Sequence, residues 1–234
     1  MALKEEIVAF EDEIRDWRRD IHAHPETAFE ETRTSDIVAE KLQSFGISVH
    51  RGLAKTGVVG TLKVGESNRA IGLRADLDAL DILEENTFNH ASTNPGKMHA
   101  CGHDGHTAML LGAACYLSET RNFNGTVQFI FQPAEENEAG GRVMVEDGLF
   151  ELFPVEAVYG MHNQPGLPLG KFGVTHSSAM ASADMFNITI SGKGSHAAHP
   201  HHGADPIVTG AEVVQALQRI ASRSVNPIES VVVS

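Results

Sequence analysis

The sequence predicts an α/β fold in which helices flank a largely parallel, mixed sheet. Short apolar runs of strand length alternate along the chain with longer segments of helical periodicity. Such alternation favours a largely parallel sheet that is covered by helices. Side chains of the types that bind metal ions follow several of the predicted strands. In sheets of this kind, bound molecules and ions lie beyond the carboxyl ends of the strands.

The N-terminal segment predicts helices. Apolar residues recur there at helical spacing, and the run HPE at 24–26 breaks the pattern before a second helix begins. The apolar positions are Ile7, Phe10, Ile14 and Trp17 in the first helix, and Ile37, Val38 and Leu42, which should face inward, in the second.

The next segments predict the sheet. The runs GVVGTLKV (57–64) and AIGLRAD (70–76) are separated by a turn with Gly and Asn, which predicts a hairpin. A helix, a buried strand, a short helix and a further strand should then follow in turn, at 103–118, 126–131, 141–150 and 155–160.

A second, smaller α+β unit is expected after a stretch rich in Gly and Pro. The boundaries expected are 1–181 for a catalytic, metal-binding domain and 182–234 for the first part of the smaller domain. Within the latter, MFNITISGKG predicts a half-buried strand, and ADPIVTGAEVVQALQRI predicts a helix that Asp205 caps. Because ESVVVS reads as an unfinished strand, the chain is expected to be a fragment.

Composition and charge exclude several classes of partner. No apolar run approaches the roughly 20 residues of a membrane span, and the charged N-terminus is unlike a signal peptide, which favours a cytoplasmic protein. The net charge of −13 repels phosphate backbones and anionic membrane surfaces, so neither nucleic acid nor membrane is expected as a partner. Two cysteines are too few for a disulfide framework.

Residues from distant segments form the ligand set of a transition-metal site. Cys101 and His103 are two positions apart, so in an extended segment both would project to one side and chelate an ion. Glu135, Glu136 and His162 follow two other strands. Pro133 ends the strand before the two acids, which places them in a turn where one carboxylate can bind metal while the other holds the attacking water.

Other candidate residues have simpler interpretations. His99 and His106 fit hydrogen-bonded packing residues better than ligands, and Cys115 fits a core residue. Asp76 and Asp78 either brace loops or orient a ligand histidine. His196 differs from the solvated turn histidines that follow it, because a glycine-rich turn would let its ring approach a ligand. Those solvated histidines are His199, His201 and His202.

Six ordered segments resemble the aminoacylase and carboxypeptidase G type metallo-amidohydrolases, in the branch of hippurate hydrolases, indole-acetyl-amino-acid hydrolases and N-acyl-amino-acid deacetylases. The segments are RRDIHAHPE, LRADLDAL, NPGKMHACGHDGHTAMLLGAA, FQPAEENEAGG, GMHNQPGLPLG and GKGSHAAHP. The resemblance implies a zinc-peptidase-like catalytic domain with two metal ions (Mn, Zn, Co or Ni). It implies that Cys101 bridges the ions, that His103, Glu136 and His162 are further ligands, and that Glu135 is the general base.

The resemblance also implies a homodimer. Residues 182–234 would begin the dimerisation domain, and His196 would reach the active site of the partner subunit and stabilise the oxyanion there. A donor of this kind is typically worth about 3 kcal/mol.

The expected function is hydrolysis of the amide bond of hippurate-like N-acyl amino acids, giving a carboxylate and a free amino acid. A dipeptidase or carboxypeptidase of the same family is one alternative. A catalytically impaired metal-binding fragment is another, because the family's last ligand histidine would lie beyond Ser234. A cysteine hydrolase that uses Cys101 and a histidine is a third.

Overall fold

The computed structural model describes residues 5–176, 180 and 182–234. By its internal contacts the chain divides into two units, Met1–Gly166 and Leu167–Ser234. The expected domain boundary after Ala181 falls on a residue outside the described ranges, so that boundary stays a prediction.

The first unit holds five strands and six of the helices in the described part of the chain. The strands are β1 (Ser48–Leu53), β2 (Gly57–Val64), β3 (Ala70–Asp76), β4 (Gly125–Gln132) and β5 (Val158–Gly160). The helices are α1 (Glu5–Val8), α2 (Glu11–Ala23), α3 (Thr32–Ser44), α4 (His103–Thr120), α5 (Gly140–Glu146) and α6 (Leu149–Leu152). The N-terminal pattern therefore gives two helices rather than one, 141–150 likewise spans two, and β1 was not predicted.

The five strands form one mixed sheet in the order β1-β2-β4-β3-β5. Strand β3 pairs in parallel with β4 and β5, whereas β2 is antiparallel to β1 and β4, so four strands share one direction and β2 opposes them. The predicted α/β class with a largely parallel, mixed sheet is confirmed. The predicted hairpin of β2 and β3 is wrong, because β4 lies between them and satisfies the backbone hydrogen bonds of both.

The central strands β2 and β4 are buried on both faces of the sheet, and neighbouring residues along them face opposite ways. Val58 and Phe129 pack into the larger core with α2, α3 and α4. Val59 and Ile130 pack into a smaller core with Met144 of α5 and Leu149 of α6. Burial on both faces explains why these strands read as continuous apolar runs instead of alternating ones.

The second unit contains helix α7 (Pro206–Arg219). The Asp205 carboxylate accepts the backbone N–H groups of Ile207 and Val208 at 2.8 and 3.3 Å, which confirms the predicted cap. Residues 185–194 form no strand, because a strand needs a hydrogen-bonded partner and the described residues supply one bridge, between Lys193 and Ala204. Residues 229–234 form no strand either.

None of the helices in the described chain is long and apolar enough to cross a membrane.

Candidate metal centre

The ends of three parallel strands meet at one edge of the sheet. Asp76 at the end of β3 is in register with Gln132 at the end of β4. Arg74 of β3 is in register with Gly160 at the end of β5, so His162 leaves the sheet at the same edge. The shared edge that the sequence predicts is therefore present, and it brings together segments that are far apart in the chain.

A tight turn places Cys101 and His103 at this edge. Gly102 between them has a φ of 91°, and His103 is the first residue of α4. A Cβ atom on Gly102 would lie 2.5 Å from the side-chain oxygen of Asn163. The extended conformation expected for 101–103 is wrong, because the chain turns here into the helix. The left-handed glycine, not strand geometry, directs both side chains to one place.

Five of the six predicted site residues come together. The Cys101 Sγ lies 3.5 Å from the His162 Nε2, and the His103 Nε2 lies 3.7 Å from the Glu136 Oε1. One ligand atom from each of Cys101, His103 and His162 falls within 4.8 Å of the others, and the same holds for His103, Glu135 and Glu136. His103 therefore belongs to both groups.

The residues fit a divalent cation. The His103 Nε2 and the Glu136 Oε1 are buried and have no hydrogen-bond partner, although buried polar atoms are normally paired. Both atoms therefore have a lone pair available at the point where the two groups meet. Thiolate, imidazole and carboxylate together form a donor set typical of transition metals.

The electrostatics of the cluster favour a positive charge. Burial, together with the neighbouring Glu136 carboxylate, raises the pKa of the Cys101 thiol to about 12. Burial by itself would lower the pKa of His103, but the carboxylates of Asp78, Asp76 and Glu136 raise it. A cation would offset the negative charge and release the thiol proton, so binding of metal and loss of protons should be coupled.

Two aspartates hold histidines of the cluster in place. The Asp78 Oδ1 lies 3.2 Å from the His103 Nδ1, which leaves the Nε2 of that ring for the ion. Asp76 contacts the His106 Nδ1 at 2.6 Å, and the Nε2 of His106 contacts Asn163. Burial opposes ionisation of Asp76, but His106 and Arg74 outweigh it and hold its pKa far below the usual range. The orienting interpretation of Asp78 and the packing interpretation of His106 are thus supported, although Asp76, His103 and His106 also form a third potential ligand group.

The remaining candidates have other surroundings, each within its own unit. His196 is exposed in the second unit, where its Nδ1 accepts the N–H of Ala198 at 3.1 Å, so its predicted role stays a prediction. Cys115 is a buried residue of α4, as expected. His99 is buried, and neither of its ring nitrogens has a partner. His199, His201 and His202 are exposed, as turn residues should be.

Two residues that approach the centre were not singled out from the sequence. Asn163 donates its backbone N–H to the His106 Nε2 at 3.0 Å. Its position directly after His162 is the sequence feature that could have identified it. Glu31 accepts the N–H of Ala134, 103 positions away, and no local pattern could have revealed that contact.

Comparisons with known proteins place this chain among related sequences and structures. The model of peptidase family M20/M25/M40 matches residues 72–233. Hippurate hydrolase of Campylobacter jejuni is 46% identical over 234 residues, which cover 100% of this chain and 61% of that protein. N-acyl-L-amino acid amidohydrolase of Geobacillus stearothermophilus is 48% identical over 237 residues, covering 99% of this chain and 64% of that protein.

A solved structure is similar as well. The crystal structure of Bacillus subtilis YxeP, described as a dinuclear metal binding peptidase from the M20 family, matches with a TM-score of 0.71 at 37% identity. That match covers 91% of this chain and 57% of that one. The chain spans about three-fifths of the length of these relatives.

Proposed function

The chain belongs to peptidase family M20/M25/M40, and on that premise we propose that it serves metal-dependent hydrolysis of the amide bond of N-acyl amino acids. The products would be a carboxylate and a free amino acid. The observation that carries the proposal is that the two ligand groups share His103 and that one of them includes Glu135. The names of the relatives, hippurate hydrolase and N-acyl-L-amino acid amidohydrolase, support the substrate class.

Cys101, His103, Glu136 and His162 are the proposed metal ligands. A bound divalent cation supplies Lewis-acid polarisation of the amide carbonyl and lowers the pKa of water. Two ions drawn from Mn, Zn, Co and Ni are proposed, because the resemblance implies a two-metal site and YxeP is described as dinuclear. The soft thiolate and the imidazoles make Mg and Ca poorer candidates.

Glu135 is the proposed general base. Its carboxylate is half-buried and lies in one ligand group with His103 and Glu136. As water attacks the carbonyl carbon, the Glu135 carboxylate takes the water proton and then delivers it to the departing amide nitrogen, which leaves as an amine. Glu136, directly beside it, stays available to the metal, so two adjacent acids divide two tasks.

The test is turnover of hippurate by the purified chain in the presence of Mn or Zn, with bound metal measured in parallel. Glu135→Gln should lower the rate at least about 100-fold and leave the metal content unchanged. Glu138→Gln alters an exposed acid in the same loop and serves as the control. Cleavage of dipeptides without cleavage of acyl amino acids would favour a dipeptidase. Bound metal without turnover would favour an impaired fragment, and turnover that survives a chelator would favour the cysteine hydrolase.

The dimer is also a proposal, and it is supported by the resemblance. In a homodimer, His196 would donate to the oxyanion of the partner subunit's substrate. Mixing the His196→Ala and Glu135→Gln chains should then restore about a quarter of the activity at equal ratio if subunits exchange randomly, since one of the two sites in each mixed dimer is intact. A monomer in sedimentation, or no restoration in mixed dimers, would contradict it.

A further inference from the structure

The loop that carries Glu135 begins with a strained residue. Ala134 is buried and has a φ of 52°, in the left-handed region that residues with a Cβ seldom adopt. Its carbonyl accepts the N–H of Gly140 at 2.9 Å, and its own N–H must also be satisfied because no water reaches it. The conformation of Ala134 sets the direction in which the chain enters Glu135.

A distant carboxylate satisfies that N–H. The Glu31 Oε1 accepts it at 2.9 Å, and the Oε2 accepts the hydroxyl of Thr56 at 2.6 Å. Glu31 is completely buried. Hydrogen bonds to a buried carboxylate are shorter and stronger than those between neutral groups, so Glu31 can hold the strained residue in place.

The helix that follows Glu31 does not account for its burial. Glu31 is the residue before α3, yet its side chain makes no capping bond. Glu26 takes that task, since its carboxylate accepts the N–H groups of Arg33 and Thr34 at 2.9 and 2.8 Å. Burying a carboxylate is costly unless it is hydrogen-bonded. The Glu31 side chain instead bonds to the hydroxyl of Thr56 and to the loop that carries Glu135.

A second carboxylate holds the other side of Glu135. The Asp78 Oδ2 accepts the N–H of Glu136 at 3.0 Å, while its Oδ1 faces His103. The residues on either side of Glu135 are therefore both held by buried carboxylates. Glu31 accepts the N–H of Ala134, and Asp78 accepts the N–H of Glu136. One of them, Asp78, also orients a proposed ligand, whereas Glu31 contacts none.

We propose that Glu31 is a positioning residue for the hydrolysis: it holds Ala134 in the left-handed conformation and so aims the Glu135 carboxylate. The inference rests on the proposed role of Glu135 as general base. A displacement of the base by about 1 Å can cost about 100-fold in rate, so loss of Glu31 should affect the chemical step more than substrate binding.

The first measurement is independent of activity. Hydrogen exchange of the amides of 134–139 in the metal-free chain should be at least about tenfold faster in Glu31→Ala. It should be close to the parent rate in Glu31→Gln, which keeps an oxygen that can accept from Ala134. Glu26→Gln is the matched control, because it weakens the start of the same helix without touching the loop. Unchanged exchange in Glu31→Ala would overturn the proposal whatever the activity.

The second measurement is hippurate turnover by the metal-loaded chain. Glu31→Ala should lower kcat roughly 10- to 100-fold with KM and bound metal changed less than about threefold, and Glu31→Gln should recover most of the loss. An unchanged kcat, or an equal loss in Glu26→Gln, would refute a positioning role. If the parent chain hydrolyses no acyl amino acid, the proposed function fails, while the exchange rates still decide whether Glu31 fixes the loop.

Discussion

At the scale of single residues, Gly102 controls the geometry of the centre. It is the left-handed residue between Cys101 and His103, and Asn163 packs against the position where a Cβ would stand. Two separate constraints therefore select glycine here, one on the backbone and one on space. This turn sets the direction of both the Cys101 and the His103 side chains. A small change in its backbone conformation therefore displaces both proposed ligands.

We expect Gly102→Ala to weaken binding of Zn or Mn at least about tenfold, by analogy with loss of groups that orient ligands. The metal-free variant should also lose roughly 1–2 kcal/mol of unfolding free energy from the left-handed conformation alone. Competition with a chromogenic chelator measures the affinity, and urea unfolding measures the stability. Gly166→Ala is the control, since Gly166 has a φ of 88° with open space around it. Equal loss of metal affinity in both variants would contradict this role of Gly102.

At the scale of elements, His22 joins α2, α4 and the irregular segment between β3 and α4. Its Nδ1 lies 2.9 Å from Asp104, the second residue of α4, and its Nε2 lies 3.1 Å from Glu84 in that segment. A ring with a carboxylate at each nitrogen is best satisfied as an imidazolium, which donates to both. The segment leads to Cys101 and α4 begins with His103, so this cross-link stabilises the scaffold of both.

The pH dependence of stability should reveal the cross-link. The hydrogen bond with Asp104 raises the pKa of His22 above its usual value, with Glu84 adding to it against the opposing effect of burial. A raised pKa in the folded state means that this stabilisation is complete below about pH 6.5, the ordinary histidine pKa, and is lost as the pH rises through the folded value. The loss of unfolding free energy in His22→Gln should thus be larger at pH 6 than at pH 9.

The difference should be about 1.5–3 kcal/mol, the range for hydrogen bonds to charged groups. Urea unfolding of the metal-free chain at both pH values measures it. His50→Gln, at an exposed histidine of β1, is the control. A loss in His22→Gln that is the same at pH 6 and pH 9 would show that the ring is not held as an imidazolium.

At the scale of the whole molecule, the centre exists only because the sheet is folded. Its proposed ligands come from the turn that opens α4, the loop after β4 and the segment that follows β5, and they span 62 positions from Cys101 to His162. The unfolded chain cannot bring these segments together without cost. Metal binding should therefore stabilise the folded state by mass action.

Zinc or manganese at about 100 times its Kd should add about 2.7 kcal/mol to the unfolding free energy, and Tm should rise with metal concentration. Calorimetry with and without metal measures the shift. The shift should disappear in His103→Ala and persist when His201 and His202 are both replaced by Ala. The reverse pattern would show that the metal binds instead at the exposed segment of the second unit that contains His201 and His202.

The sequence was enough to predict the fold class, but it was not enough to predict which strands pair with each other. Helical and strand periodicity are properties of neighbouring residues, which is why α4, β4 and α7 with its Asp205 cap were predictable. The neighbour of β2 is decided by contacts across the sheet, so the turn signal between β2 and β3 predicted a hairpin that the insertion of β4 prevents. The strand expected at 185–194 failed for the same reason, since alternation cannot supply a partner.

By itself the sequence determined the chemical types of the centre: a thiol, imidazoles and paired carboxylates, each following a predicted strand or opening a helix. Only the tertiary structure decided how they meet, through the left-handed turn at Gly102 and through Asp78, which holds His103. It also decided that Glu31, 103 positions before Ala134, bonds to the loop of Glu135. The physical reason is that side-chain chemistry and periodicity are local properties, whereas a hydrogen bond between distant segments exists only once the packed core has brought them within about 3 Å.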